Sequence, residues 1–551
     1  MTLPHLWKSV DLKSYSTIRY KDDVPEGFGS ASPFSMGLNA LVTRNVSTLV
    51  RSLCLDGDFG TPDVQEYSRV GRVSESTMIL NIAVRAAVDQ CIHLEKFRWD
   101  LNVRVQPNVF AGLAKLSQLE HLWLRFPTNR IAQPSYEIPA LPNLQSLTIT
   151  HYDPLCYPYD ISTLLVHATK LETLRLHFSP RMREQGEASV FISHFFRKNI
   201  AARIKLKLKR VGIYNLLATA DTPECLDAIE SSTIRHFTAL NTFGLDEDIL
   251  GTHPSATHFI DRTWLVPMNK EHPKPLSLRL DQLHKRHALD LGQSAGLERL
   301  YLVNARYKAE CSNGCTNSPP NSTGVSPHAP SSTSSNCRSS RNTPTPNTNL
   351  RDLYLDSICG VCGPTLMHLV LPARWLLPTA LTARLIRSCP NLTQLSAAIE
   401  CSEFEVLRML VPFLSKLWAI RVLPPTSESE ESQKKLQDFN NFCNLPDSEH
   451  EEKLATSLAR KGIDGAATDF PRLRYVGLGH KIWEIGGIIE DVIRSPVQDD
   501  MRAQAGDAEN ASVANHDGWR EEIVYRRRVR RIEEKDVSDV EIWQMDSMDV
   551  I

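Results

Sequence analysis

The chain has 551 residues, 42% of them apolar, and its 62 basic and 64 acidic residues leave a formal net charge of −2. This near-neutral balance gives no electrostatic reason to expect nucleic acid or an anionic membrane surface as a partner. The twelve cysteines stand at irregular spacing, which indicates free thiols in a reducing compartment, and no apolar run is long enough for a transmembrane helix. We therefore expect an intracellular protein, cytoplasmic or nuclear, that binds neither nucleic acid nor membranes.

One apolar pattern recurs along the chain, with apolar residues at positions n, n+3 and n+5. Its copies are, in chain order, VRSLCL from Val50, LEKFRW from Leu94, LEHLWL from Leu119, LQSLTI from Leu144, LETLRL from Leu171, LNTFGL from Leu240, LERLYL from Leu297, LRDLYL from Leu350, LTQLSA from Leu392, LWAIRV from Leu417 and LRYVGL from Leu473. The four copies from Leu94 to Leu171 follow each other at intervals of 25, 25 and 27 residues. A leucine-rich chain shows scattered matches by chance, whereas regular spacing indicates an internal repeat.

Each copy predicts a short strand, because side chains at n+3 and n+5 of a strand point to the same, inward face. Segments between the copies have helical spacing. Examples are Asp160–Ala168, where Asp160 can cap a helix, and Ala380–Leu392, where a helix must stop at Pro390. Strand and helix alternating in this way are typical of leucine-rich repeats. We expect an α/β fold: an irregular leucine-rich-repeat solenoid over residues 44–485, with short parallel strands alternating with helices, and with disordered insertions.

Three polar stretches interrupt or follow the predicted array. Residues 312–349 consist mainly of Ser, Thr, Pro and Asn, which cannot offset the entropy cost of ordering, so we expect a disordered insertion. Residues 424–468 form an acidic polar insertion and residues 498–518 a linker. Serines in the two insertions are candidate phosphorylation sites. The last segment, 519–551, mixes β-branched residues, charges and two tryptophans, and we expect it to be a C-terminal docking element.

Sequence motifs of catalysis are absent from the chain, which contains no GxSxG, GxxxxGK[ST] or HExxH. We expect a protein that is not an enzyme and that needs no cofactor; an active site built from residues far apart in sequence is the open alternative. Cys311, Cys315, Cys359 and Cys362 could supply four thiolates to one zinc ion, although reduced, unliganded cysteines are the simpler expectation. The basic run Arg526–Arg531 is flanked by glutamates, which favours a solvated, salt-bridged face over a nuclear-import signal or a nucleic-acid contact.

The alternation along each predicted strand also selects side chains that face away from the core. In a repeat array of this kind, positions n+2, n+4 and n+6 line the concave surface. The candidate partner-binding residues selected in this way are His121, Trp123, Arg125, Thr173, Arg175, His177, Arg299, Tyr301, Asp352, Tyr354 and Asp356. Trp, Tyr and Arg are the residue types that most often anchor protein interfaces, so we expect a protein or peptide partner. The alternative is that Trp123 is covered by its neighbours as part of the fold.

The stretch LPHLWKSVDL, Leu3–Leu12, resembles the closing segment of an F-box, whose last helix ends in a Leu-Trp pair before the first repeat strand. The tail segment VSDVEIWQMD, Val537–Asp546, resembles the C-terminal end of large fungal F-box and leucine-rich-repeat-like proteins. The resemblance implies a substrate-receptor subunit of a cullin-RING ubiquitin ligase, in which the F-box holds the adaptor and the repeats hold a target protein. Residues 1–12 are interpreted as an F-box remnant, so we expect adaptor binding only if an F-box exists upstream. A leucine-rich-repeat scaffold with no role in ubiquitination is the alternative.

Overall fold

A computed structural model describes residues 6–15, 20–25, 32–59, 70–127, 134–153, 159–179, 190–215, 218–219, 227–240, 243, 275–281, 283, 285–303, 350–400, 404, 413–425, 430–458, 460–461, 472–496 and 519–547. The predicted insertion at 312–349 and the predicted linker at 498–518 lie outside these residues, as do Cys311 and Cys315. Within the described ranges, no helix is both long enough and apolar enough to cross a membrane.

The described residues form one long sheet of seventeen strands. The strands are β1 (Ser9–Ser14), β2 (Ser52–Gly57), β3 (Lys96–Leu101), β4 (His121–Arg125), β5 (Ser146–Tyr152), β6 (Thr173–Phe178), β7 (Arg210–Tyr214), β8 (His236–Leu240), β9 (Ser277–Leu280), β10 (Arg299–Leu302), β11 (His368–Val370), β12 (Gln394–Ala397), β13 (Ala419–Val422), β14 (Arg460–Lys461), β15 (Tyr475–Leu478), β16 (Lys481–Pro496) and β17 (Trp519–Ile532). β1–β13 and β15 lie side by side in chain order, and each is parallel to its neighbours. β16 and β17 form an antiparallel hairpin beside β15, and β14 pairs with β17. The fold is therefore mixed α/β with a long, mostly parallel sheet.

Parallel neighbours need a crossing connection between each pair of strands, and many of these connections contain a helix. The helices are α1 (Pro33–Thr43), α2 (Glu75–Gln90), α3 (Pro107–Leu113), α4 (Ser162–His167), α5 (Arg197–Ala202), α6 (Lys285–Leu291), α7 (Leu350–Ser357), α8 (Thr379–Ser388), α9 (Glu430–Cys443), α10 (Asp447–Ser457) and α11 (Glu541–Gln544). In α2 the Ser74 side chain caps the first turn by accepting a hydrogen bond from the Thr77 amide. One side of α2 is buried, at Leu80, Val84 and Val88, as expected for an amphipathic helix that covers a core.

The n+3 and n+5 side chains of the repeats form two buried rows across the sheet. In one row Phe97, Leu122, Leu147 and Leu174 are partners in register on four adjacent strands, and all four are buried. Buried residues of the helices belong to the same apolar cluster. The helices therefore pack on this side of the sheet, which we call the back face; the alternate side chains define the front face.

β1 extends the repeat pattern by one unit before Val50. It pairs with β2 along its whole length, with Val10 opposite Leu53. Val10 is buried, and Trp7 and Leu12 pack partly against the back-face core. Trp7, Val10 and Leu12 thus take the positions n, n+3 and n+5.

Two predicted strands are wrong. LRDLYL from Leu350 lies in α7 rather than in a strand, and the strand of that repeat is β11, which begins at His368. The apolar residues of LRDLYL recur at helical as well as at strand spacing, an ambiguity that short apolar runs always carry. LNTFGL from Leu240 begins where β8 ends, so the pattern of that repeat starts at Ile234 instead.

The stretch 424–468, expected as an acidic polar insertion, contains two helices, α9 and α10. Phe439, Phe442 and Leu454 of these helices are buried in the same cluster as the back-face core. The described part of this stretch is therefore helical and contributes to the core. Although residues 424–468 are rich in acidic side chains, each of the two helices has an apolar side.

The basic run Arg526–Arg531 lies in β17 and is held by groups of β16. Arg530 forms an ion pair with Glu484 at 2.7 Å, and the Arg527 Nε donates to the Gly486 carbonyl at 2.6 Å. The Arg531 guanidinium lies 5.5 Å from the centre of the Trp483 ring. β16 therefore supplies partners to three of these arginines, and Arg531 also lies 3.8 Å from Asp447 of α10.

After β17 the chain crosses to the front face. A 3-10 turn, Glu534–Val537, leads into α11. Ile542 and Trp543 of this helix are buried in a second apolar cluster, which includes Val370 of the front face. We call residues 533–547 the tail.

Candidate functional site

The front face of β3–β6 presents one side chain per strand in a straight row. Arg98, Trp123, Thr148 and Arg175 are partners in register on these four adjacent strands. Neighbouring strands lie about 4.8 Å apart, so a ligand lying across the strands meets Arg98, Trp123 and Arg175, whereas Thr148 between them is buried. Arg98 is exposed, and Trp123 and Arg175 are half-buried.

Trp123 is fixed by a cation on the neighbouring strand. The Arg98 guanidinium lies over the Trp123 ring, 4.1 Å from its centre, and the same guanidinium forms an ion pair with Asp100 at 2.5 Å. Arg98 therefore covers part of the ring of Trp123, while the rest stays accessible. A rigid, partly exposed aromatic side chain of this kind loses little entropy on binding a partner.

A bulge in β5 brings two histidines together at the end of this row. The register between β5 and β6 shifts between Leu176 and Phe178, and His151 takes a left-handed backbone conformation with φ of 56°. Such a bulge redirects a side chain. The His151 ring meets the His177 ring edge-on, with 5.2 Å between the ring centres.

Asn215 determines which ring nitrogen of His177 carries the proton. Its amide nitrogen donates to the Phe243 carbonyl at 2.7 Å and lies 3.2 Å from His177 Nε2. Nε2 is therefore the acceptor, and the proton of the neutral ring is on Nδ1. Burial lowers the pKa of His177 to about 3, and burial together with the charge of Arg125 lowers the pKa of His151 to about 4. Both rings are neutral near pH 7.

On β10 and β11 the front face binds the tail through the Glu541 carboxylate. The Tyr301 hydroxyl donates to Glu541 Oε2, and His368 Nδ1 donates to the same oxygen at 2.5 Å. Arg299 lies 3.7 Å from Glu541 Oε1. Burial opposes ionisation of this carboxyl, but the hydrogen bonds from His368 and Tyr301 outweigh it and lower the pKa of Glu541 to about 2.

Two further arginines hold the tail beyond α11. Arg279 of β9 is buried, and its Nε and Nη2 donate to the main-chain carbonyls of Met545 and Ser547 at 2.8 and 2.5 Å. Arg421 of β13 pairs with Asp546 at 2.8 Å, and both side chains are largely buried. The tail is thus bound both through its main-chain carbonyls and through the Asp546 carboxylate.

The Trp543 side chain fits a position where the sheet has no side chain. A β-carbon on Gly477 of β15 would lie 2.7 Å from the Trp543 ring, closer than van der Waals contact permits. Trp543 is 4% exposed. On β12, Gln394 accepts a hydrogen bond from the Ile542 amide at 3.0 Å. The tail therefore makes contacts with six strands, β9–β13 and β15.

The sequence-predicted residues fall into three groups. His121, Trp123, Arg125, Thr173, Arg175 and His177 lie on β4 and β6, on the front face. Arg299 and Tyr301 also lie on the front face, but both contact Glu541 of the tail, and Tyr301 is 2% exposed. Whether the first group binds a partner stays a prediction.

Asp352, Tyr354 and Asp356 form the third group, and their assignment to the strand surface is wrong because they lie on α7. Tyr354 is fully buried and packs on Trp375, with 5.3 Å between the ring centres. Asp356 forms an ion pair with Arg384 of α8 at 2.7 Å. These side chains belong to the helical side of the molecule.

Sequence reasoning missed Arg98, His151 and Asn215; it expected residues 519–551 to dock but did not place them on the front face. Arg98 stands at position n+4 of LEKFRW, so the rule that selected Trp123 also selects it. His151 and Asn215 both have left-handed backbones, and no repeat position corresponds to them. Only the mixed acidic and aromatic composition of the tail could have pointed to its contacts.

Cys359 and Cys362, which follow α7, and Cys389, which follows α8, are reduced thiols. Cys362 donates to the carbonyls of Leu291 and Ser294 at 3.5 and 3.6 Å. Burial raises the pKa of Cys359 and of Cys389, which favours the protonated thiols. Among the described residues, no group of three or more His, Cys, Asp or Glu side chains is arranged to hold a metal ion.

No protein-family model matches the chain, and no curated protein matches it either. The front face has two parts: the half-exposed row on β3–β6, and the surface on β9–β13 and β15 that the tail covers.

Proposed function

We propose that the chain is a non-enzymatic protein-binding module: a leucine-rich-repeat solenoid whose concave surface is the front face. Parallel strands in chain order, with buried rows on one face and helices over that face, support the solenoid. His151 and His177 are poor general bases near neutral pH because their pKa values are depressed to about 4 and about 3. This supports binding rather than catalysis on the front face.

The observation that carries the proposal is that this face already binds a peptide segment. On β9–β15 it holds the tail through Arg279, Tyr301, His368 and Arg421. β3–β6 have the same architecture and present Trp123 and Arg175 half-exposed. The exposed part of the front face is therefore the surface that we assign to a partner protein.

A photo-crosslinking amino acid at position 121 tests this assignment, because His121 lies on the front face of β4 and is partly exposed. The matched control carries the same group at position 78, since Met78 is 49% exposed on α2, on the opposite side of the sheet. We expect a partner to be crosslinked from position 121 and not from position 78. Crosslinks from position 78 alone would contradict the proposal.

The resemblance of Leu3–Leu12 to the end of an F-box supports the further proposal that the partner is a ubiquitination target. Adaptor binding requires an F-box, so the test compares the 551-residue chain with the same chain carrying a complete F-box before Met1. We expect the protein with the added F-box to bind purified adaptor and, in a reconstituted ligase, to direct ubiquitin to the crosslinked partner. Adaptor binding without ubiquitin transfer to that partner would favour a scaffold with no role in ubiquitination.

A further inference from the structure

We propose that the front face of β9–β15 is a second peptide-binding site, distinct from the row on β3–β6, and that the tail fills it as an internal ligand. The ligand class is an acidic peptide with the pattern Glu-x-Trp-x-x-Asp. In the chain itself these are Glu541, Trp543 and Asp546. A partner protein that carries this pattern would occupy the site when the tail leaves it.

Each element of the pattern has its own recognition group. The glutamate accepts hydrogen bonds from Tyr301 and His368 and lies beside Arg299. The tryptophan fills the space above Gly477, and the aspartate pairs with Arg421. Separate positions for separate side chains give a site its specificity.

The site also binds the main chain of the tail. Contacts of this kind do not depend on the sequence of the bound peptide. Arg279 donates two hydrogen bonds to main-chain carbonyls of the tail, those of Met545 and Ser547. Gln394 accepts one from the Ile542 amide. Main-chain bonds that provide affinity, combined with side-chain positions that provide selectivity, are the usual arrangement of peptide-binding sites.

Part of the front face stands uncovered. On β3–β6, Arg98 is exposed and Trp123 and Arg175 are half-buried, although the back-face rows there are as buried as elsewhere. A front face can therefore stand partly open beside an intact core. The ionic contacts on β9–β15 are thus better explained by recognition than by burial alone.

The short connection between β17 and α11 keeps the tail near its site, because only Glu533 lies between Ile532 and the turn Glu534–Val537. A short tether gives an effective concentration of about millimolar. A partner peptide at micromolar concentration is excluded while the tether is intact, so the test must cut the tether in the folded chain.

A protease site inserted between Glu533 and Glu534, which are both exposed, allows this cut in the full-length protein. We expect the cleaved tail to remain bound through gel filtration, and to be replaced by excess fluorescent peptide of the sequence 533–547. A cleaved chain that loses its cooperative thermal transition would show that the tail is part of the core, and would overturn the proposal. A chain that stays folded but never takes up the peptide would overturn it as well.

Peptide and groove variants then test the assigned pattern. In the cleaved protein, Arg421→Asp should weaken the native peptide by about tenfold or more and should favour a peptide with Asp546→Arg. Gly477→Ala should weaken the native peptide similarly, whereas Gly487→Ala should not, since a β-carbon on Gly487 meets nothing within 4 Å. Equal affinity for all peptides would show that the groove has no such selectivity.

Discussion

The ring of Trp543 occupies the space in which a β-carbon on Gly477 would lie, with only 2.7 Å between the two positions. Glycine inside a strand usually weakens it, and often marks a place where another group approaches closely. Here the neighbouring residues Val476 and Leu478 are buried on the back face, so residue 477 is free to serve the front face. This pair joins the tail to β15.

We expect Gly477→Ala to loosen the tail while leaving the back-face core intact. The added methyl group cannot coexist with Trp543 in its present position. Amide hydrogen exchange in residues 540–547 should accelerate by about tenfold or more, because local opening there becomes less costly, while exchange in β3–β6 should not change. Unaltered exchange in the tail would show that Trp543 can be accommodated elsewhere. Gly487→Ala serves as the control.

The depressed pKa of Glu541 predicts how docking of the tail depends on pH. The docked carboxyl has a pKa of about 2 against an ordinary value of 4.5, so the ionised form favours docking. The stabilisation of the docked tail by the ionised Glu541 carboxylate is complete above about pH 4.5. It is lost as the pH falls from 4.5 towards 2. Proteolysis of the tail at graded pH should follow this course, and Glu541→Gln should remove that part of the dependence. An identical pH profile in the variant would argue against the assignment.

His151 and His177 predict a loss of stability in mild acid. His151 and His177 have pKa values of about 4 and about 3 in the fold and 6.5 when unfolded. Between these values the unfolded chain binds more protons, so stability falls as the pH drops below 6.5. Each histidine contributes at most about 1.4 kcal/mol per pH unit. Denaturant unfolding at pH 7 and pH 5 should show a smaller difference for His177→Gln than for the unaltered chain; an equal difference would contradict the assignment.

Truncation of Trp99 should mainly reduce stability, whereas truncation of Trp123 should mainly reduce partner binding, although the two residues lie on adjacent strands. Trp99 is fully buried and its indole donates to the Val103 carbonyl at 2.9 Å, so Trp99→Ala should cost about 3–5 kcal/mol of stability. Trp123 is half-exposed, so Trp123→Ala should lower Tm only slightly and should instead reduce partner capture. A large drop in Tm for Trp123→Ala with unchanged capture would identify the side chain as structural.

The repeat strands β2–β6, β10, β12, β13 and β15 were predicted from the sequence, whereas β7 and β9 were not. β7 and β9 follow the same pattern from Leu208 and from Pro275, with Val211 and Leu278 buried at n+3. Any apolar residue can therefore serve at these positions, and the strand periodicity is a more general signal than leucine itself.

The tail-bound surface could not be predicted, because its contacts join residues that are far apart in the chain. Arg279 and Met545 are separated by 266 positions, and nothing local to either residue indicates the other. The exposed row on β3–β6 was predictable because the alternation of a strand determines it. The His151 bulge was not, since one extra residue in β5 changes the side-chain direction without a signature in the sequence.

Arrays in which each unit touches only its neighbours unfold from their ends, one unit at a time. The tail changes this for part of the molecule, because one segment contacts β9, β11, β13 and β15 together. None of these strands can separate without disturbing the contacts of the others. We therefore expect β9–β17 to melt as a single cooperative unit, while the strands nearer β1 fray gradually.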